Sequence, residues 1–355
     1  MLKSIFKGVS HLVRLGAVGC LALVAVMGAP AESKELNVLF IGNSFTARHS
    51  LAQVVKSLAE EGQPGLTFTA KTVIYGGRTL ANHWELQTPN FIRQATITPR
   101  EVGASIELLR REVARRKETE PPGKAPPSSH NAPSHFVAAL KNQEQLGASL
   151  PAPRRKWDIV VLQSYLDDLD PEGRSSFFDY APQYAALARA EGARVILYET
   201  TSNTQHAVAL KTPPDPTAVL KKARQLAALA ARIGAEVVPM ALVALRCQAT
   251  RPDLTLRFVN DTHLNQTMAY LTACTFYGRL FHRSPEGLTF GQVTDNRFDA
   301  QQKDRDRDGG PLTRNFSPRD KADLQRLAWL GLSDFAALEK QPPGTSNRPQ
   351  TTGHP

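Results

Sequence analysis

Apolar positions recur along this chain with two different periods. Short, nearly unbroken runs rich in Val, Ile and Leu occur at Leu36–Gly42 (LNVLFIG), Leu66–Tyr75 (LTFTAKTVIY), Trp157–Gln163 (WDIVVLQ), Ala193–Glu199 (ARVILYE) and Ala235–Ala241 (AEVVPMA). Between most of them, apolar residues fall three and four apart, as in Ser50–Gly62, Tyr180–Gly192 and Thr217–Gly234. The first pattern predicts strands buried on both faces. The second predicts amphipathic helices, the last two ending in glycines suited to a helix C-terminus. Strands alternating with helices predict an α/β fold, a three-layer α/β/α sandwich around a five-stranded parallel sheet of flavodoxin-like kind.

Two stretches break the alternation. Between the second and third strands, residues 98–156 carry a basic helical pattern (GASIELLRREVARRKE), then PPGKAPPSSHNAPS, a second helical pattern (HFVAALKNQEQLG) and PAPRRK. Proline-rich polar sequence cannot build a core, so this region is expected to be an irregular insertion or lid, and the tail 341–355 to be disordered.

The N-terminus differs from everything after it. Lys3, Lys7 and Arg14 precede the apolar run Leu15–Ala29, and Ala29 and Ala31 supply the small residues of a cleavage site. This predicts an export signal, residues 1–31, ahead of one domain over 32–340. An uncleaved anchor is the alternative, but the run is short of the roughly 20 apolar residues a span needs. The expectation is a secreted or periplasmic protein with no stable membrane span after cleavage. Cys20 lacks the small-residue context of a lipidation site.

Composition narrows the class. A chain of 355 residues, 41% hydrophobic with mean hydropathy −0.30, supports a large core and not several membrane spans. The formal net charge is +10, of which the export signal accounts for three positive residues. The densest basic clusters, Arg110–Arg111, Arg115–Lys117 and Arg154–Lys156, have few aromatics among them. They read as solvated surface or as an attraction to anionic glycans, not as a nucleic-acid footprint. After the signal, Cys247 and Cys274 remain, and both a disulfide and two buried thiols are open to them.

The chemistry gathers around VLFIGNSFTARHS, Val38–Ser50. A strand, a sharp turn and a helix start would place Ser44 at the carboxyl edge of a parallel sheet, where open α/β folds bind ligands, beside the N–H groups of a helix N-terminus. Ser44 is then posed as a nucleophile, although a serine there more commonly serves as an N-cap, and the Gly-Asn-Ser stretch alone favours that role. A nucleophilic serine needs a base and the base needs an orienting group. His263 lies in a loop entering a strongly apolar helix, with Asp261 two residues earlier. A solvated histidine with Asp261 capping the helix is the alternative. Asp304–Gly310 (DRDRDGG) matches four positions of a calcium loop. Asn315 stands where its terminal glutamate belongs and Pro311 follows at once, so a flexible charged loop is expected and no metal.

Taken in order, VLFIGNSFT, VIYGGRTLANHWE, WDIVVLQS and NDTHLNQTMAYLTACTFYGRLFHRSPEGL resemble the four blocks of the SGNH (GDSL-like) hydrolases, over Leu36–Leu288. The resemblance implies that fold type and a cofactor-free serine esterase. Ser44 would be the nucleophile, His263 the base and Asp261 its orienting acid, with Gly77, or Gly76 in a shifted register, as oxyanion donor. Gln163 would be a second donor, and Asn43 and Gly76 would contact substrate. His83, beside the second block, is open equally to lining the pocket as a substrate contact, to packing and to solvent exposure. The family spaces its acid three residues before the histidine, where this chain has Asn260, so either Asp261 serves from a shifted loop or the site is a Ser-His dyad. Gln163 stands where the family has an asparagine. The implied substrate is an ester, most plausibly an acylated glycan. A lipid or aryl ester, or a catalytically silent glycan-binding protein on the same fold, is the alternative.

Overall fold

The computed structural model describes residues 34–118, 133–165, 175–200, 206–296 and 303–340. The expected export signal and the tail 341–355 lie outside the described residues. The expected strands form as β1 (Lys34–Gly42), β2 (Leu66–Ile74), β3 (Ile159–Gln163), β4 (Arg194–Glu199) and β5 (Glu236–Pro239), all parallel, in the order β2-β1-β3-β4-β5. Helices cover both faces, giving an α/β/α sandwich with flavodoxin-like strand order.

The period of two explains both cores. Leu39, Ile41, Val160, Leu162, Val195 and Leu197 point to one face, while Val38, Phe40, Ile159, Val161, Ile196 and Tyr198 point to the other. The first face is covered by α3 (Leu80–Glu85), α4 (Pro89–Ile92), α5 (Pro99–Glu118), α6 (Pro133–Ser149), α7 (Ser176–Ala190) and α8 (Thr217–Ile233). The second takes α2 (Leu51–Gly62) and α10 (Gln266–Phe281), whose residues from Gln266 to Gly278 are all buried. Helix α9 (Met240–Thr250) and the long α11 (Pro318–Glu339) close the sandwich at the β5 edge, with Gly331 of α11 so close to Val243 that an added Cβ would lie 3.0 Å from its Cα.

The 98–156 insertion is more ordered than its composition suggests. Helices α5 and α6 pack as a pair, burying Val102, Leu109, Phe136, Ala139 and Leu146. The Arg116 guanidinium lies over the Phe136 ring at 4.0 Å. Buried Gln143 of α6 donates to the Gln87 carbonyl and accepts from Asn90 Nδ2, and Asn142 donates to the Tyr75 hydroxyl. The pair is thus fastened to the segment following β2. Apolar spacing inside each helix, not the proline-rich stretch between them, decides the outcome. Of the linking segment, residues 119–132 are outside the described residues.

Among the described residues no helix is long and apolar enough to cross a membrane. Cys247 and Cys274 are buried free thiols, and burial pushes both upward, Cys247 to about 12. A small antiparallel pair, β6 (Gln292–Thr294) and β7 (Thr313–Asn315), lies outside the main sheet.

Candidate active site

Because β1 is flanked by β2 on one side and β3 on the other, the chain reverses its winding direction between β1 and β3, and a crevice opens outside their carboxyl ends. Gly42 ends β1 there. Its conformation matters less than its lack of a side chain: a Cβ at 42 would lie 2.3 Å from Gln163 Oε1 and 2.7 Å from Thr46 Oγ1. Next come Asn43 and the short helix α1 (Ser44–Ala47).

The capping role open to Ser44 belongs to its neighbour. Asn43, in extended backbone, accepts the Phe45 N–H through Oδ1 at 3.1 Å. Ser44 is the first residue inside α1, half-buried, and its Oγ lies 2.7 Å from His263 Nε2. The cap of α10 is likewise not Asp261 but Asn265, whose Oδ1 accepts from Met268 N at 3.1 Å. Asp261 Oδ1 instead accepts from the His263 backbone N–H at 3.1 Å and from ring Nδ1 at 2.5 Å. One oxygen serving both N–H groups is what lets an acid two residues upstream reach the ring. Asn260, at the spacing usual for the family, has its N–H directed to Asp308 instead. The ring also packs against Phe45, with centroids 5.2 Å apart. The order Asp261–His263–Ser44 requires the tautomer with its proton on Nδ1 and leaves Nε2 to accept from the serine hydroxyl.

The turn carrying Asp261 and His263 is braced from several directions. Arg257 and Leu264 bridge antiparallel across its base, and Asn265 Nδ2 donates to the Thr255 carbonyl at 2.9 Å. Asp308 accepts from the backbone N–H of Val259 at 2.7 Å and of Asn260 at 3.2 Å. The charged loop 304–310 therefore acts as a clamp on the acid turn. Asp306 closes that loop by accepting from Asp308 N and Gly310 N. The other Asp306 oxygen accepts from Gln266 Nε2, the Asp304 carboxylate lies beside Arg305, and no cluster able to hold a metal occurs among the described residues.

Asp261 Oδ2 meets Arg48, with Arg307 Nε at 3.7 Å. Burial would push the Asp261 carboxyl up, but hydrogen bonds from the His263 ring and backbone, with the charges of His263 and Arg48, hold it below the usual range. Arg48 is itself buried and reaches Asp295 at 3.3 Å. None of Arg48, Asp295, Arg307 or Asp308 is expected from the sequence. The one available signal was the alternation of Asp and Arg in DRDRDGG.

The remaining expected site residues fall as follows. Gly77, with φ +62, sits in the turn after β2 beside Gly76. That turn is tied to the Ser44 segment by Tyr75 N to the Gly42 carbonyl and by Asn43 Nδ2 to the Arg78 carbonyl at 3.2 Å. Gln163 and Asn43 have tasks unlike those expected of them, and His83 takes the packing role, one of the readings open to it. Gln163 is buried and its amide is fully engaged: Oε1 accepts from Asn43 N, Thr46 N and Thr46 Oγ1, while Nε2 donates to Asn43 Oδ1 and the Ser164 carbonyl. It fixes the Ser44 turn and has no proton left for an oxyanion. His83 is completely buried, donating from Nε2 to the Gly42 carbonyl at 2.9 Å and accepting from Thr88 on Nδ1, so it supports the turn from beneath and does not face the crevice. Asn43 is buried too, as the cap.

No family model matches the chain, and no curated protein matches it. Among solved structures the chain is similar to a gut microbial diltiazem-metabolizing enzyme, at 11% identity and TM-score 0.30, over 70% of this chain and 47% of that one. The chain spans about half the length of that enzyme.

Proposed function

We propose that this protein is an exported serine esterase of SGNH type, acting on O-acyl groups of a carbohydrate, in the periplasm or outside the cell. The observation that supports it is the chain of contacts Ser44 Oγ to His263 Nε2 at 2.7 Å and His263 Nδ1 to Asp261 Oδ1 at 2.5 Å, at the carboxyl edge of a parallel sheet. The order of the four sequence blocks supports it independently, and the glycan substrate rests on that resemblance alone.

In this reading His263 takes the Ser44 proton as Oγ attacks the ester carbonyl, and Asp261 stabilises the imidazolium that forms. The tetrahedral oxyanion is received by backbone N–H groups, those of Ser44 and Gly77 being the candidates, each such donor contributing about 3 kcal/mol. His263 then protonates the departing alkoxide. Water, deprotonated by the same ring, releases the acid from the acyl-serine and returns the enzyme to its starting state. The engaged amide of Gln163 leaves the oxyanion to backbone donors.

Hydrolysis of p-nitrophenyl acetate tests the proposal. Wild type is expected to turn it over, Ser44→Ala to lose turnover with an unchanged melting temperature, and a fluorophosphonate to label the peptide containing Ser44. Labelling elsewhere would move the site. Retained binding of an acylated glycan without turnover of any ester would favour a binding protein on the same fold.

A further inference from the structure

We propose that Arg48 is the positioning residue for Asp261, holding the carboxylate in the rotation that presents Oδ1 to the His263 ring; this rests on the serine-hydrolase reading above. The torsion of an aspartate carboxylate about its last bond is broad, so a hydrogen bond to one oxygen leaves the plane loosely set. Asp261 is especially exposed to this looseness. Its Oδ1 must accept from both the backbone N–H and Nδ1 of His263, a geometry the short two-residue spacing imposes. A donor on the other oxygen fixes the plane, and Arg48 occupies that place.

The guanidinium is in turn fixed by its surroundings. Its side chain is 4% exposed, and Asp295, completely buried, accepts from its Nη1 at 3.3 Å. The backbone after it is held in a conformation that costs energy: His49 and Ser50 are both left-handed, at φ 56 and 50. Asn296 locks this kink by accepting from His49 N and donating to the Ala47 carbonyl and Ser50 Oγ, and His49 Nε2 donates to the Leu264 carbonyl. The kink turns Arg48 back toward the acid turn. A single segment, 44–50, thereby presents both the nucleophile and the anchor of the acid that serves it. Arginine suits this place because its planar fork presents donors to two carboxylates in a fixed geometry, whereas a lysine ammonium is a compact point charge that sets no such plane.

The test uses Arg48→Gln in the full chain, with two readouts. In p-nitrophenyl acetate hydrolysis kcat is expected to fall at least tenfold while KM stays within about twofold, and in an Asp261→Asn background the same substitution is expected to change kcat by less than about twofold, because the two act through one interaction. By proton NMR, the low-field Nδ1–H resonance of the Asp261–His263 hydrogen bond is expected in wild type, absent in Asp261→Asn, and shifted or broadened in Arg48→Gln. A merely structural ion pair would lower the melting temperature of Arg48→Gln and leave kcat and the resonance as in wild type, which overturns the proposal. The resonance does not depend on turnover. A wild type inactive on every ester, with a resonance that still responds to Arg48, would therefore sink the esterase reading and keep the positioning role. If Arg48→Gln does not fold, Arg48→Lys decides: a shifted resonance with reduced kcat supports the role, and wild-type values for both overturn it.

Discussion

Asp261 carries the sharpest claim at the scale of one residue. Its alternative role, capping α10, is filled by Asn265, so removing its charge takes no cap away. In the proposed mechanism the carboxylate fixes the tautomer of His263, and replacing the equivalent acid in a serine protease lowers turnover about 10⁴-fold. Asp261→Asn is accordingly expected to reduce ester turnover at least about a hundredfold in a folded protein whose melting temperature is lowered, because buried Arg48 keeps Asp295 but loses the Asp261 charge. The double variant Asn260→Asp with Asp261→Asn restores the spacing usual in the resembled family but is not expected to recover the rate. The N–H groups of Val259 and Asn260 are held by Asp308, which fixes the backbone away from such a register and sets a like charge beside the new carboxylate. Wild-type turnover by Asp261→Asn would leave a Ser-His dyad as the better account.

Between elements, the decisive link is the one Gln163 makes from the end of β3 to the start of α1. Five hydrogen bonds leave its buried amide, and Gly42 makes room for it. Gln163→Asn, which installs the residue usual in the family, withdraws the amide by a methylene. It is expected to strand the N–H of Asn43 and to take the acceptor from the Thr46 hydroxyl, at about 1–3 kcal/mol for each group left unpaired, seen as a lower melting temperature with no gain in turnover. Gly42→Ala is expected to act in the same direction through the clash with Oε1. This link also marks where sequence reasoning stops. The five strands were legible because each is buried on both faces and so reads as an apolar run. A strand-turn-helix and a loop-helix entry, both local patterns, made Ser44, His263 and Asp261 candidates, and the resemblance of the four blocks assigned their roles. The task of Gln163, the anchoring by Arg48 and Asp295, and the clamp from Asp308 join residues 48–247 positions apart, and no local periodicity encodes them. Strands β6 and β7, three residues each, are too short to display a period.

Across the whole molecule, two fully buried ionisable groups at the carboxyl edge of the sheet set opposite pH dependences. Burial pushes His83 down to about 4 from 6.5, against the hydrogen bond to Gly42 that would raise it. The unfolded chain then binds the extra proton between those values, and stability is lost as pH falls through that window. Burial pushes Glu199, at the end of β4, up to about 7 from 4.5, partly offset by the Ala241 N–H it accepts. Here the folded chain holds the extra proton, and stability is lost as pH rises from about 4.5 to about 7. Each shift corresponds to about 3 kcal/mol, so between about pH 5 and 6.5 the two nearly cancel. Glu199→Gln removes one side of the balance. Its melting temperature is expected to climb with pH through that window, where the His83 and Glu199 contributions keep wild type nearly level. Relative to wild type, the variant is expected to gain more at pH 8 than at pH 5, because the desolvated carboxylate burdens wild type only once ionised. Thermal melts of both proteins across this range decide it: an equal difference at both pH values would place the Glu199 carboxyl in the ordinary range and remove this term from the stability of the sheet edge that carries Ser44.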